Sequence, residues 1–474
     1  MRRPLLVTAL AASLLALTAC AAPAADPASS SPAPSSPSSS APASSTPSSS
    51  AGSSASSDAA STDVTTYHQD AQRTGRSAST PAPAKLAVDW SHDLDGEVYA
   101  QPLVVGGIVL VATENDTVYG FDAASGLQRW KRHLGTPQPS AALPCGNIDP
   151  TAGITGTPVY DPASKTVFLV ADEQGPHHLL YGLDPATGAT RVRTGADVPG
   201  SGPRTEQQRG ALALAGGQVY ITYGALYGDC SSYHGEVVTA STSGTIVATL
   251  ALPTRNGGGI WTPAGPTVSK NGDVYVTSAN SAARPGDQYE FSNGTLQLSP
   301  TLKVEQCFAA KDWQAKDAAD LGQGSTGPTL LDDGLIVTAG KDLPNYVLDS
   351  EHLGGIGGQV ATTAICPAYG GTANVGTTVF LPCTSGLTAV RADRGGLKRL
   401  WSADGVTGSP VLGGGAVFAL AQDDGVLHAY SQADGKSLGS VRLPDATTRF
   451  ATPALSGRQA FIGTTKGIVA VSGV

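Results

Sequence analysis

An all-β fold, an eight-bladed β-propeller of four-stranded antiparallel blades, is predicted by three features of this 474-residue chain. The first is Gln101–Trp130, QPLVVGGIVLVATENDTVYGFDAASGLQRW, which reads as strand, Gly turn, strand, polar turn, strand, Gly turn, strand. The second is recurrence: the middle of that unit returns until eight copies can be counted. The third is the way the chain ends. Val474 follows the third strand of the last copy, while Lys85–Trp90 (KLAVDW) is a spare strand ahead of the first. A lone four-stranded sheet has two apolar faces and needs copies of itself to cover them. The N-terminal strand is therefore expected to complete the last blade and close the ring, which removes the exposed sheet edges.

The elements follow in order. Residues 1–19 read as an export signal, with Arg2-Arg3 as the basic start and Leu5–Leu17 as an apolar core too short to span a bilayer. The core ends in Leu17-Thr18-Ala19-Cys20, which resembles a bacterial lipobox and implies acylation at Cys20. Stable anchoring takes more than one acyl chain, as a lipoprotein carries. Residues 20–62 are almost wholly Ala, Ser and Pro. With no periodic apolar face, they cannot offset the entropy of ordering and are expected to form a stalk. The folded head is expected over 63–474.

In the head, the second strand of each unit is predicted at Val109–Ala112, Val167–Val170, Val219–Thr222, Val274–Thr277, Leu335–Thr338, Val379–Pro382, Val417–Leu420 and Ala460–Gly463. The strand before it usually opens on Pro: Pro102, Pro158, Pro266, Pro328, Pro410 and Pro453. The strand after it recurs at Tyr119–Asp122, Tyr181–Asp184, Tyr346–Asp349, Leu387–Val390, Leu427–Tyr430 and Ile468–Val471, and is less regular in units three and four. Fourth strands end in Trp at Leu127–Trp130 and Lys398–Trp401. The spacing between units is longest in the first half, so the large loops lie there, and loops carry function more often than blade cores.

The pattern Pro-x-Val, Gly-x-Val-φ-Val, Tyr-x-φ-Asp-x-x-x-Gly and Trp resembles the pyrroloquinoline-quinone (PQQ) repeat family over Tyr67–Val474. Tyr67-His68-Gln69-Asp70-Ala71-Gln72-Arg73-Thr74-Gly75 is similar to a lead-in found before such propellers, with Asp70 expected to cap a turn and Arg73 to staple the lead-in to the head. The family includes quinoprotein dehydrogenases and a non-enzymatic lipoprotein of outer-membrane protein assembly. For the enzymes the resemblance implies a Ca²⁺-bound PQQ. Trp261 and Asn280 then match the cofactor floor and a ligand, and Asp320 and Lys341 match a catalytic Asp and a quinone-facing Lys. Leu226 stands where a Glu ligand is expected, and no two cysteines are adjacent. Loss of a carboxylate weakens an oxygen-ligated Ca²⁺ site. Each residue also has a structural reading: Trp261 as blade packing, Asn280 in a turn, Asp320 after a helical segment at Trp313–Ala319, and Lys341 in solvent.

Export permits disulfides. Cys366–Cys383 and Cys145–Cys230 are the expected pairs, and Cys307 is left over. A Cys-rich metal site is not signalled, because no Cys-x-x-Cys spacing occurs. His177-His178 is expected in a loop, and Gly257–Gly259 lacks the helix and Lys of a phosphate cradle. A net charge of -9 offers no basic stripe for nucleic acid. The expected function is a lipid-anchored module on the extracytoplasmic side of the cell membrane. It binds or scaffolds an envelope protein or small ligand on one propeller face, as a monomer and without a cofactor. The alternatives are a PQQ/Ca-dependent dehydrogenase of alcohols or sugars, and a cell-wall glycan-binding head.

Overall fold

Eight mainly antiparallel sheets stand around one axis. The computed structural model describes Cys20, residues 62–175 and residues 177–474; the expected signal and the rest of the stalk lie outside the described residues. Blade one is built from Leu103–Val105, Ile108–Ala112, Thr117–Asp122 and Gln128–His133, paired in that order. All eight second strands form where the repeat placed them, from Ile108–Ala112 to Gln459–Gly463. The irregular third strands of blades three and four are Glu236–Ser241 and Gly294–Leu298. In blade eight the outer place is taken by Ala87–Asp93, which pairs antiparallel with Gly467–Ser472 from Ala87 opposite Ser472 to Asp93 opposite Gly467. The ring is closed by the N-terminal strand.

Burial follows position in the blade. Inner strands such as Ile108–Ala112 and Ala416–Ala421 are covered almost throughout, whereas outer strands such as Gln128–His133 and Ser437–Arg442 are largely exposed. An apolar cluster fills every junction between neighbouring blades, eight junctions in all. The junction of blades one and eight joins Val104, Val109 and Phe121 to Phe461, Ile468 and Ala470.

The Gly and Trp of the repeat act between blades. Trp130 of blade one lies on Gly188 of blade two and donates its indole N–H to the Pro185 carbonyl at 3.1 Å. Trp90 does the same to Gly126 and Ala123, and Trp401 to Gly435 and Gln432. A side chain at Gly188 would place Cβ 2.6 Å from the Trp130 ring, and its φ of +69° already disfavours an L-residue.

The lead-in stitches the inner strands together at the end of the axis that carries the turns between first and second strands. Val64 exchanges backbone bonds with Val104 of blade one. Thr65, Ala71, Thr74 and Gly75 offer carbonyls to Tyr160, Val268, Asn374 and Leu412 of blades two, four, six and seven. Arg73, 4% exposed, donates to Thr66 Oγ1 at 2.6 Å and to the carbonyls of Tyr67 (2.9 Å), Pro266 (3.1 Å) and Leu212 (2.8 Å). Asp70 accepts from the Thr74 N–H at 3.0 Å and caps the turn.

Three details differ from or extend the sequence reading. His177 and His178 open a strand, His177–Leu183, because the hairpin of blade two runs longer than its repeat copy. The structure pairs Cys145 with Cys230 and Cys366 with Cys383, with Cα atoms 6.1 and 5.7 Å apart. Cys307, left over in the sequence reading, is paired with Cys20 at a Cα separation of 5.9 Å. That pairing and an acyl thioether are alternatives for the one sulfur of Cys20. No helix among the described residues is long and apolar enough to cross a membrane.

Candidate functional site

The turns between second and third strands, and the connections from one blade to the next, gather at the other end of the axis. A cavity of about 560 Å³ opens there, a size suited to a small molecule. Its walls come from the loops after the second strands of blades three, four and five and from the connections before blades three, four, five, six and eight.

All four residues singled out from the sequence line this cavity: Trp261, Asn280, Asp320 and Lys341. The backbone of Trp261 passes so near blade three that a Cβ on Gly224 would lie 2.6 Å from the Trp261 Cβ. The Trp261 ring faces Phe450 at 6.3 Å between centroids. Asn280 follows the second strand of blade four, and its carbonyl accepts the Gly258 N–H at 2.8 Å. A short helix, Trp313–Ala318, precedes Asp320. Its Asp317 is buried and accepts from Ser281 and Ser292 hydroxyls (3.0 and 2.9 Å) and from the Asn293 amide at 3.0 Å, fixing the shelf that carries Asp320. Asp320 and Lys341 form an ion pair. Its Lys side chain is 17% exposed and its Asp side chain 63% exposed, so the pair sits at the rim.

Leu226 also lines the cavity. Beyond it, Tyr227, Gly228 and Asp229 form a lip, which Cys230 ties to Cys145 in the long connection between blades one and two.

Sequence reasoning missed the cationic and aromatic end of the cavity: Arg209, Tyr369, Arg449 and Phe450. They lie in connections outside the repeat period. The Arg209 guanidinium lies 5.8 Å from the centre of the Tyr99 ring and 5.5 Å from that of Phe450. The Arg449 guanidinium lies 5.0 Å from Phe450 and 5.9 Å from Tyr369. Burial holds Arg209 below the usual arginine range; Tyr99 and Glu114 oppose that shift and Arg449 reinforces it. A second space of about 10 Å³, bounded by Tyr67, Tyr99, Thr155 and both arginines, separates this end from the lead-in.

Buried carboxyls stand behind the cavity wall in blades one to three. Burial, with Asp172 and Glu114 nearby, pushes Asp116 up to about 9. Burial likewise lifts Glu114 to about 7, against hydrogen bonds from the Gly153 N–H and the Thr155 hydroxyl. Asp172 rises to about 6, and Glu236, beside Glu206, to about 9. His178 is 1% exposed and bonds Asp197 Oδ1 through Nδ1 at 2.9 Å.

A family model described as outer membrane protein assembly factor BamB matches residues 83–281. No curated protein matches the sequence. Among solved structures, the chain is similar to quinohemoprotein alcohol dehydrogenase from Comamonas testosteroni, at 16% identity and a TM-score of 0.67, over 88% of this chain and 81% of that one. BamB from Moraxella catarrhalis is 15% identical with a TM-score of 0.56, over 82% of this chain and 97% of that one. A europium-containing methanol dehydrogenase is 14% identical with a TM-score of 0.68, over 87% and 98%. The chain has the PQQ-repeat propeller fold, which an assembly factor and quinoprotein dehydrogenases both use.

Side-chain oxygen donors along the cavity include the carboxylates of Asp229 and Asp320 and the amide of Asn280. An oxygen-ligated Ca²⁺ draws on carboxylates. Here apolar Leu226 lines the wall, the Asp320 carboxylate is engaged by Lys341, and no group of three or more His, Cys, Asp or Glu among the described residues could hold a metal ion.

Proposed function

We propose that this protein is a lipid-anchored binding module of the cell envelope, held outside the cytoplasmic membrane at Cys20, and that the cavity between blades three and five and Phe450 is its binding site. The observation that carries this reading is the lining: aromatic rings and cationic groups around about 560 Å³, with carboxylates from Asp229 on the lip and from Asp320, which Lys341 engages. Similarity to BamB over residues 83–281 supports a place in the envelope. Similarity to the dehydrogenases is at the level of fold, and fold does not carry activity.

The test is site-specific photocrosslinking in cells. A crosslinker at Tyr227, 59% exposed on the lip, is compared with one at Val375, 40% exposed at the end of a first strand, beside the turn to the second and so at the opposite end. The module reading expects a defined adduct from Tyr227 and none from Val375. Equal labelling from both positions overturns it.

A further inference from the structure

The outer edge of blade three lacks the protection that the other blades give theirs. An exposed edge strand offers unpaired backbone N–H and C=O groups to any extended chain, and proteins blunt such edges with charge, short strands or a cover. The outer strands of blades one, two and six carry basic residues, Arg191 and Arg193 of blade two among them, and that of blade eight carries Asp89 and Asp93. In blade four Gly355–Ile356 is laid on the outer strand Val304–Ala309. In blade five the strand is only Ala361–Thr363. In blade seven Gly439 weakens a strand that ends on Arg442.

Blade three ends in Ile246–Ala251, IVATLA, and no charged residue stands between Glu236 and Arg255. The ladder pairs this strand on one side only, with Glu236–Ser241, and no strand among the described residues takes the other. Ile246 and Val247 are 36% and 47% exposed, and Thr249 and Ala251 are exposed as well. In the aligned strand of blade two, the places of Val247 and Thr249 hold Arg191 and Arg193. The loss of charge is thus particular to blade three and not a property of the propeller flank.

The charge pattern also says which strand the edge accepts. An antiparallel pair between one strand and its own copy is symmetric, each chain giving and taking the same hydrogen bonds. On blades one, two, six and eight such a pair would gather charges of one sign from both chains on one ribbon, which is destabilising. Ile246–Ala251 has none to gather, and its β-branched Ile246, Val247 and Thr249 suit a pleated surface. We infer that two copies of this protein pair antiparallel through Ile246–Ala251, joining their third blades in one continuous sheet, in place of the monomer expected from the sequence. Six residues from each chain make a small interface, so the dimer belongs to the weak, transient class.

The experiment is photocrosslinking in cells, with the full chain carrying a benzophenone side chain at Ala251. The expected product has twice the chain mass, and its linked peptides both come from this protein, one of them holding residues 246–251 of the second copy. The same probe at Ser440, exposed in the outer strand of blade seven, should give none. Val247→Arg with Thr249→Arg gives blade three the charges that blade two already carries, and should lower the adduct about tenfold. Val247→Glu with Thr249→Glu should do the same. Co-expression of the two charged variants should restore the adduct, because opposite charges then share the ribbon; this rescue separates lost pairing from a lost fold. An adduct with a different protein, a ladder of higher multiples, no adduct, equal adducts from Ala251 and Ser440, an undiminished adduct in the charged variants, or absence of rescue overturns the inference. The Tyr227 adduct reports on the cavity separately: the strand stands on the flank, so either result can fail with the other intact.

Discussion

Arg73→Met removes the centre of the lead-in. In the native head this guanidinium donates four hydrogen bonds, at 2.6 to 3.1 Å, to one hydroxyl and to carbonyls that belong to the lead-in and to blades three and four. Burial, opposed by Tyr67 and Asp70, lowers its pKa to about 10, so it stays charged at neutral pH. Methionine fills similar volume and supplies no donor. Hydrogen bonds to a charged group contribute roughly 1.5–3 kcal/mol each, but removing the charge also lifts its desolvation cost. The net loss expected is about 3–5 kcal/mol, mostly from the three carbonyls left without their donor. For a folded head of roughly 400 residues, whose unfolding entropy scales with length, that is a fall in melting temperature of about 4–6 °C. Arg73→Lys keeps the charge and reaches fewer acceptors, so it should fall between. Calorimetric melting at pH 7 is the assay. A methionine variant that melts within 1 °C of wild type would refute the idea that the lead-in locks the ring.

Gly188→Ala should destabilise by about 2–3 kcal/mol, combining positive-φ strain with the clash on Trp130. Gly106→Ala, at φ +56° with open space around it, should cost only the conformational part, about 1 kcal/mol; equal melting temperatures for the two would contradict blade docking through Trp130. Melting temperature should fall as pH rises from 5 to 9. Unfolded carboxyls ionise near pH 4, while Asp172, Glu114, Asp116 and Glu236 keep their protons to about 6, 7, 9 and 9 in the folded head. The folded state thus binds more protons across that window, and each such group removes up to about 1.4 kcal/mol per pH unit. The stabilisation is complete below pH 4 and lost through each folded value. Asp116→Asn, at φ +49°, should flatten the upper part of the curve, and lower stability than wild type at pH 8 would contradict this. Cys307, 1% exposed, should yield one alkylatable thiol per chain after denaturation if Cys20 carries the lipid; a Cys20–Cys307 linked peptide instead would remove the anchor proposal.

The blades were legible in the sequence because their requirements are local and periodic. The Gly that closes the turn at Gly126, Gly188 and Gly435 recurs because Trp90, Trp130 and Trp401 need a side-chain-free surface on the next blade. Ring closure was legible from an unpaired strand at one end of the head and a missing one at the other. Trp261, Asn280, Asp320 and Lys341 stood out because they follow strands in the irregular units, where departure from the repeat is itself a signal. Arg209 and Arg449 were not legible. They lie in connections with no period, far apart in sequence, and the fold brings Arg209 to the Phe450 ring that Arg449 already neighbours in the chain. The strand at His177 was missed for a related reason, since hairpin length varies between blades while strand spacing within a blade does not.

The central claim is that the cavity is a binding site and not a calcium-quinone centre. Titration of the full-length protein with PQQ, with and without Ca²⁺ and followed by dye-linked oxidation of alcohols and sugars, tests it most directly. The account predicts that calcium leaves any PQQ affinity unchanged and that no dye is reduced. Calcium-dependent PQQ binding at micromolar concentration, with dye reduction abolished by Asp320→Asn, would contradict it.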